Sequence, residues 1–125
     1  MIIKIVLIAI AGSFGTLSRY FIGGAVQRFA GVSFPWGTLI INLTGCFFVG
    51  LLWTLFEGRF PVTSLTRTIV LVGFFGAFTT FSTFIFETEQ LLSSSQWTYA
   101  IFNIAIQNIG GIIGLFSGVF IARTI

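Results

Sequence analysis

The residues able to do chemistry in this chain are neutral hydrogen-bond donors set inside apolar stretches. Thr38 and Asn42 stand four apart, on one face of a helix. Thr79, Thr80, Ser82 and Thr83 cluster in a third apolar stretch, and Asn103, Gln107 and Asn108 in a fourth. A polar side chain within lipid is costly unless it faces protein or water. Any one of these residues reads as an interhelical hydrogen bond, typically worth about 1 kcal/mol or less. The whole set reads as a path whose hydroxyl and amide donors replace the water around an anion. Phe78, Phe81 and Phe84 fall three apart, close to one helical face, and interleave with those donors. Phenylalanine in a membrane helix usually packs or meets lipid, but the ring has a positive edge. An edge turned into a dry passage attracts an anion.

Other chemistries are excluded by what the chain lacks. With no His and no Asp there is no Ser-His-Asp triad, and the lone Cys46 can form neither a zinc site nor an internal disulfide. No Walker-type phosphate loop or GxGxxG occurs. The sequence pI of 9.8 reflects a net charge of only +3. Its basic residues are scattered at Lys4, Arg19, Arg28, Arg59, Arg67 and Arg123, so no nucleic-acid partner is expected. Glu57, Glu87 and Glu89 all fall near the ends of apolar stretches. A proton-coupled exporter needs a titratable group in its path. Small four-helix drug exporters, similar in size, carry a glutamate in the first helix, and the first stretch here has none. The alternatives that stay open are such a coupled exporter and a non-transporting assembly subunit whose polar residues only join helices.

The elements that must position these residues follow from composition. Of 125 residues, 56% are hydrophobic and 7% charged, against roughly 25% charged in a soluble domain. Such a chain cannot clothe itself in a solvated surface and belongs in lipid. At about 20 residues per crossing, four crossings account for nearly all of it. The apolar stretches run over about 2–26, 35–56, 65–90 and 97–121, giving an all-α membrane protein with a single four-helix domain over 1–125. Ser33 is placed to cap the second helix, with Pro35 in its first turn. Glu57-Gly-Arg59-Phe-Pro61 separates the second stretch from the third, and Ser93-Ser-Ser-Gln96 precedes Trp97, whose ring suits the membrane interface. Ala9-Ile10-Ala11 resembles a signal-peptide cleavage site, but the run before it is short and the rest of the chain is equally apolar. The Asn42-Leu43-Thr44 sequon lies too deep for glycosylation.

Four crossings put Lys4, Arg59, Arg67 and Arg123 on one side and Arg19 and Arg28 on the other. That bias is weak and permits insertion both ways up. Four tightly packed helices leave no lumen, so a solute path needs a second subunit or a groove on the bundle surface. Gly110, Gly114 and Gly118 recur every four residues, a small-residue stripe that fits either packing within the subunit or a dimer interface. Gly73, Gly76, Thr79 and Thr80 lower helix propensity in the middle of the third stretch. A break there frees carbonyls that must be buried or ligated, and two breaks meeting across a dimer would form an oxygen cage for a hard cation. The alternative is an unbroken helix whose hydroxyls bond back to its own carbonyls. Arg19 lies toward the end of its stretch, free either to snorkel or to draw anions inward.

These motifs resemble the Fluc (CrcB) fluoride channels nearly end to end. The resemblance rests on Gly12-Ser-Phe-Gly15-Thr-Leu-Ser-Arg19-Tyr20, on Gly37-Thr38-Leu-Ile-Ile-Asn42-Leu-Thr-Gly45, and above all on Gly73-Phe-Phe-Gly76-Ala-Phe-Thr79-Thr80-Phe81-Ser82-Thr83-Phe84. The fourth stretch matches in size and glycines, and only loosely in sequence. The resemblance implies an antiparallel, dual-topology homodimer in the inner (plasma) membrane of a bacterium, exporting fluoride passively through two pores. It implies that Asn42 lines the pore, that Phe81 and Phe84 present ring edges to the ion, and that Ser82 and Thr83 form a polar track. The third helix, broken at mid-membrane, would hold a structural Na+ through the backbone carbonyls of Gly76 and Thr79 from both copies. Thr38 and Asn103 are further candidates for the pore. Arg19 matches a motif arginine, for anion attraction or structure. Where some relatives carry hydroxyls on the fourth helix, this chain has Asn103 and Gln107.

Overall fold

Backbone groups in lipid have no water to bond, so each apolar stretch must close its hydrogen bonds internally, as a helix. The computed structural model describes residues 1–60 and 62–125, and the turn signal at Pro61 lies outside them. The chain runs through α1 (Ile2–Ala30) and α2 (Trp36–Gly58), then a third span built in pieces, then α6 (Trp97–Thr124). The third span comprises α3 (Ser64–Arg67), π-helical turns over Thr68–Phe75, α4 (Gly76–Phe78) and, beyond a break, α5 (Phe81–Ser93). Four spans are long and apolar enough to cross a membrane, and no strand occurs among the described residues. This is a multi-pass integral membrane protein. The helices overrun the apolar stretches by a few residues because the polar ends, such as Gln27 and Arg28, continue the helix to the interface. Arg28 in the last turn of α1 also complements the helix dipole.

Ser33 does not cap α2. The cap position falls on Pro35, with no side-chain bond. Gln27, on the preceding helix, serves instead: its Oε1 accepts from the Gly37 N–H at 3.0 Å, and its Nε2 donates to the carbonyls of Gly31 and Phe34. One amide thus satisfies an orphan donor of α2 and two carbonyls of the turn. Gly31, at φ 94°, makes the reversal that a side chain would strain.

The glycine stripe settles where the helices touch. A Cβ on Gly118 would overlap the Phe47 carbonyl, one on Gly50 would overlap the Leu115 carbonyl, and one on Gly114 would come within 3.2 Å of the Leu43 carbonyl. The stripe is therefore spent on packing α6 against α2 inside the subunit. Likewise Gly73 sits against α1, its Cβ position 3.0 Å from the Ala11 Cβ. Ile41, Phe75 and Phe78 form the buried centre, flanked by Val49, Leu52, Val70, Leu71 and Phe74. Most other large apolar side chains, among them Phe14, Phe21, Phe29, Phe116 and Phe120, are exposed on the subunit, as a lipid-embedded surface allows.

Gly118→Ala should cost about 1–3 kcal/mol, the usual penalty of overpacking, and lower the unfolding midpoint in detergent micelles. Gly24→Ala, where nothing lies within 4 Å of the added atom, should leave the midpoint unchanged or raise it.

Candidate functional site

The break in the third span is made by its threonines. Thr79 (φ −82°, ψ 158°) and Thr80 (φ −149°, ψ 120°) are extended, a conformation that β-branched residues adopt readily. The glycines of the same string remain helical. Gly73 serves close approach to α1, and Gly76 opens α4. Each side of the break is capped locally. The Thr79 hydroxyl donates to the Phe75 carbonyl at 3.0 Å. Thr80 Oγ1 accepts from the Thr83 N–H at 3.3 Å as the N-cap of α5, and donates to Thr83 Oγ1 at 2.9 Å.

The exposed backbone of Thr80 is met from α2. Asn42 Oδ1 accepts the Thr80 N–H at 2.8 Å, and Asn42 Nδ2 donates to the Thr80 carbonyl at 3.0 Å and to Gln107 Oε1 at 2.9 Å. In a continuous helix that N–H would go to the Gly76 carbonyl; the break withholds it. One amide therefore closes both backbone groups of Thr80 and ties α2, the break and α6 together.

Two cavities flank this clasp, and Thr80 lines both. The first, of about 280 Å³, is bounded by Asn42, Thr79, Phe81, Phe84, Gln107 and Asn108, with Cys46 at its wall. Among the described residues, no formally charged side chain lines it. The second, of about 450 Å³, is bounded by Arg19, Gln27, Thr38, Thr83 and Glu87. There the Thr38 hydroxyl donates to Glu87 Oε1 at 2.7 Å, and the other carboxylate oxygen is buried without a partner.

The candidate residues distribute as follows. Asn42, Phe81, Phe84 and Thr79 meet at the first cavity, and Arg19, Thr38 and Thr83 at the second. Phe81 is 71% exposed and Phe84 4%. Their rings stand edge to face with centroids 5.5 Å apart. Phe78 does not share their face: the break falls between it and Phe81, and it packs with Phe75 and Ile41 instead. Ser82 is exposed and borders neither cavity, and Gly76 is exposed on the subunit face. Asn103 is fully buried, borders neither cavity, and donates to Thr88 Oγ1 at 2.9 Å; Thr88 in turn donates to the Phe84 carbonyl at 2.7 Å. Arg19 lies well inside α1 rather than near its end, because α1 continues to Ala30. Glu87 turns inward, unlike the end-of-span acids with which its sequence position groups it. Sequence reasoning missed Glu87 and Cys46 as cavity residues. Gln107 and Asn108, read there as part of the polar set of the fourth stretch, do line the first cavity.

The family model described as "CrcB-like protein, Camphor Resistance (CrcB)" matches residues 6–119. The chain is 53% identical to the fluoride-specific ion channel FluC of Desulforapulum autotrophicum over 98% of both chains. It is 49% identical to that of Nitrosococcus oceani, again over 98% of both. With that of Solidesulfovibrio magneticus it shares 43% identity over the full length of each.

Asn42→Ala leaves the Thr80 N–H and carbonyl unpaired in a water-poor setting, at about 1–3 kcal/mol per orphaned group. The expected result is a folded but less stable protein whose Thr80 amide exchanges with solvent faster than in the parent, read by hydrogen–deuterium exchange in micelles. Unchanged exchange at Thr80 would contradict the clasp.

Proposed function

The chain belongs to the CrcB-like family, and from that membership we propose that it is a fluoride-selective ion channel, a transport protein and not an enzyme, that lets fluoride leave the cell passively. The observation that carries this reading is the first cavity. An amide at Asn42, the rings of Phe81 and Phe84, and polar groups from α6 meet in a space lined by no formal charge. Fluoride is small and strongly hydrated, so its desolvation must be offset by several close donors. Neutral donors and ring edges do this without trapping the ion, since conduction needs binding weak enough to release. Arg19 at the second cavity supplies a fixed positive charge that draws anions toward the clasp, where Thr83 adds a hydroxyl, while the Thr38 hydroxyl is held by Glu87. Ser82, exposed beside Phe81, faces outward and would complete the track against a second copy.

The working unit is an antiparallel homodimer with two pores. Support comes from the surface: Phe81, on the wall of the first cavity, is 71% exposed on the subunit, and a second copy would cover it. The small-residue stripe of α6 is used up inside the subunit, so the second copy meets other faces. The four-to-two division of basic residues suits insertion in both orientations. The carbonyls of Gly76 and Thr79 fit a structural Na+ at that junction. Hard oxygen donors suit the ion, the break strips Gly76 of its helical partner, and Gly76 is exposed on the subunit face. Bound there, the ion would supply positive charge that holds the two breaks together. A negative-inside potential favours anion exit by about 2.3 kcal/mol per 100 mV, so no energy coupling is required.

One observation favours a second reading. Glu87 is a titratable group on the wall of the second cavity, which a coupled exporter would need. Liposome flux separates the two. A channel passes fluoride, and not chloride, down its gradient with the proton gradient collapsed, whereas a coupled exporter stops.

Two outcomes are expected from the purified protein. Phe81→Ile, which keeps bulk and loses the ring, should reduce fluoride efflux by about tenfold or more, as losing about 1.4 kcal/mol at the barrier implies, while the dimer persists; wild-type flux would reject the ring-edge role. Membrane-impermeant labelling of single cysteines at one terminus should reach both faces of the membrane; labelling from one face only would remove the antiparallel dimer.

A further inference from the structure

We propose that Gln107 is a second amide ligand for the permeating anion, and that it exchanges its bond to Asn42 for one to the ion. The inference rests on the channel reading above.

The orientation of two amides is fixed by one backbone group. The Thr80 N–H can only donate, so the Asn42 atom facing it at 2.8 Å must be Oδ1. Asn42 Nδ2 then has two hydrogens, one on the Thr80 carbonyl and one on Gln107. Because that neighbour is a donor, the Gln107 atom facing it must be Oε1. Gln107 Nε2 is therefore turned away from the clasp, and it has no hydrogen-bond partner although the residue is 8% exposed and its nitrogen is buried. A flipped Gln107 would set donor against donor. One unpartnered acceptor, Asn103 Oδ1, stands one turn away on α6, and no bond joins it to Gln107 Nε2.

A buried amide N–H without an acceptor costs free energy, and this one belongs to a residue lining the cavity that also holds Asn42, Phe81 and Phe84. An anion entering that cavity supplies the missing acceptor. The nitrogen is buried, so the side chain must turn to reach the ion. That turn withdraws Oε1 from Asn42 and releases one Asn42 hydrogen to the same ion. Gln107 thus accepts from Asn42 in the arrangement described and joins it on the ion once one is bound. The Thr80 clasp is retained throughout, because the reciprocal pair between Asn42 and Thr80 does not involve Gln107.

Two measurements test this. In wild-type protein reconstituted in nanodiscs, the side-chain ¹⁵N–¹H signals of Gln107, assigned through Gln107→Met, should shift saturably with sodium fluoride and not with sodium chloride. In liposomes, Gln107→Met should lower fluoride efflux about tenfold, with the Thr80 amide exchanging as slowly as in the parent. A merely structural Gln107 would instead loosen Thr80 and leave its own signals insensitive to fluoride. Insensitive signals in protein that conducts fluoride, or parental efflux in Gln107→Met, overturn the assignment and leave the channel reading intact. Wild-type protein that passes no fluoride overturns the channel reading, and this assignment with it.

Discussion

Two backbone groups of Thr80 in a water-poor setting govern this structure. A spanning helix normally satisfies its own peptide groups, and a break forfeits that. Here the amide of Asn42 returns both bonds from a neighbouring helix. The rest follows from that repair. The bonds fix which way the Asn42 amide points, and through it the Gln107 amide on α6. They place Thr80 as a wall between an uncharged cavity and a charged one. They also let α5 start afresh with its own cap, so that Phe81 and Phe84 leave the line of the preceding helix.

The glycines perform a different task from the one their composition suggests. Gly50, Gly114 and Gly118 bring α2 and α6 into backbone contact, and Gly15 and Gly73 do the same for α1 and the π-helical turns. Close packing of this kind stands in for the hydrophobic effect, which lipid does not supply between helices. It also carries Asn42 and Gln107, on two separate helices, to within 2.9 Å of each other. Precision at the clasp is thus inherited from residues that have no side chains.

Much of this was legible in the sequence, and the part that was not has a physical pattern. Charge poverty and stretch length gave four spans, since both report directly on the solvent. Weak helix propensity at 73–80 located the break, although the glycines there proved to be packing residues and the threonines the extended ones. The π-helical turns of Thr68–Phe75 had no local signature in the sequence. Spacing put Phe78 with Phe81 and Phe84 only for as long as the helix was taken as continuous. Ser33 looked like a cap, and Gln27 did the work from another helix, as pairings across elements are invisible to local pattern. Glu87 was grouped with terminal acids by position, whereas helical phase turns it toward Thr38.

The two cavities divide a problem that one could not solve. A dehydrating anion needs strong attraction to enter and weak attraction to leave. A fixed cation at the narrowest point would meet the first demand and defeat the second. Here Arg19 lies on one side of the Thr80 wall, with Glu87 lining the same cavity, while the other side offers amides, hydroxyls, rings, the Cys46 thiol and apolar side chains. On the proposed channel reading, formal charge would act at a distance, and short-range contact would be left to neutral donors that can be made and broken one at a time. On the channel reading proposed above, a donor already partnered, as Asn42 is by Gln107, would give up a bond to take the ion. Such an exchange would keep binding shallow, which is what rapid passage of a strongly hydrated ion demands.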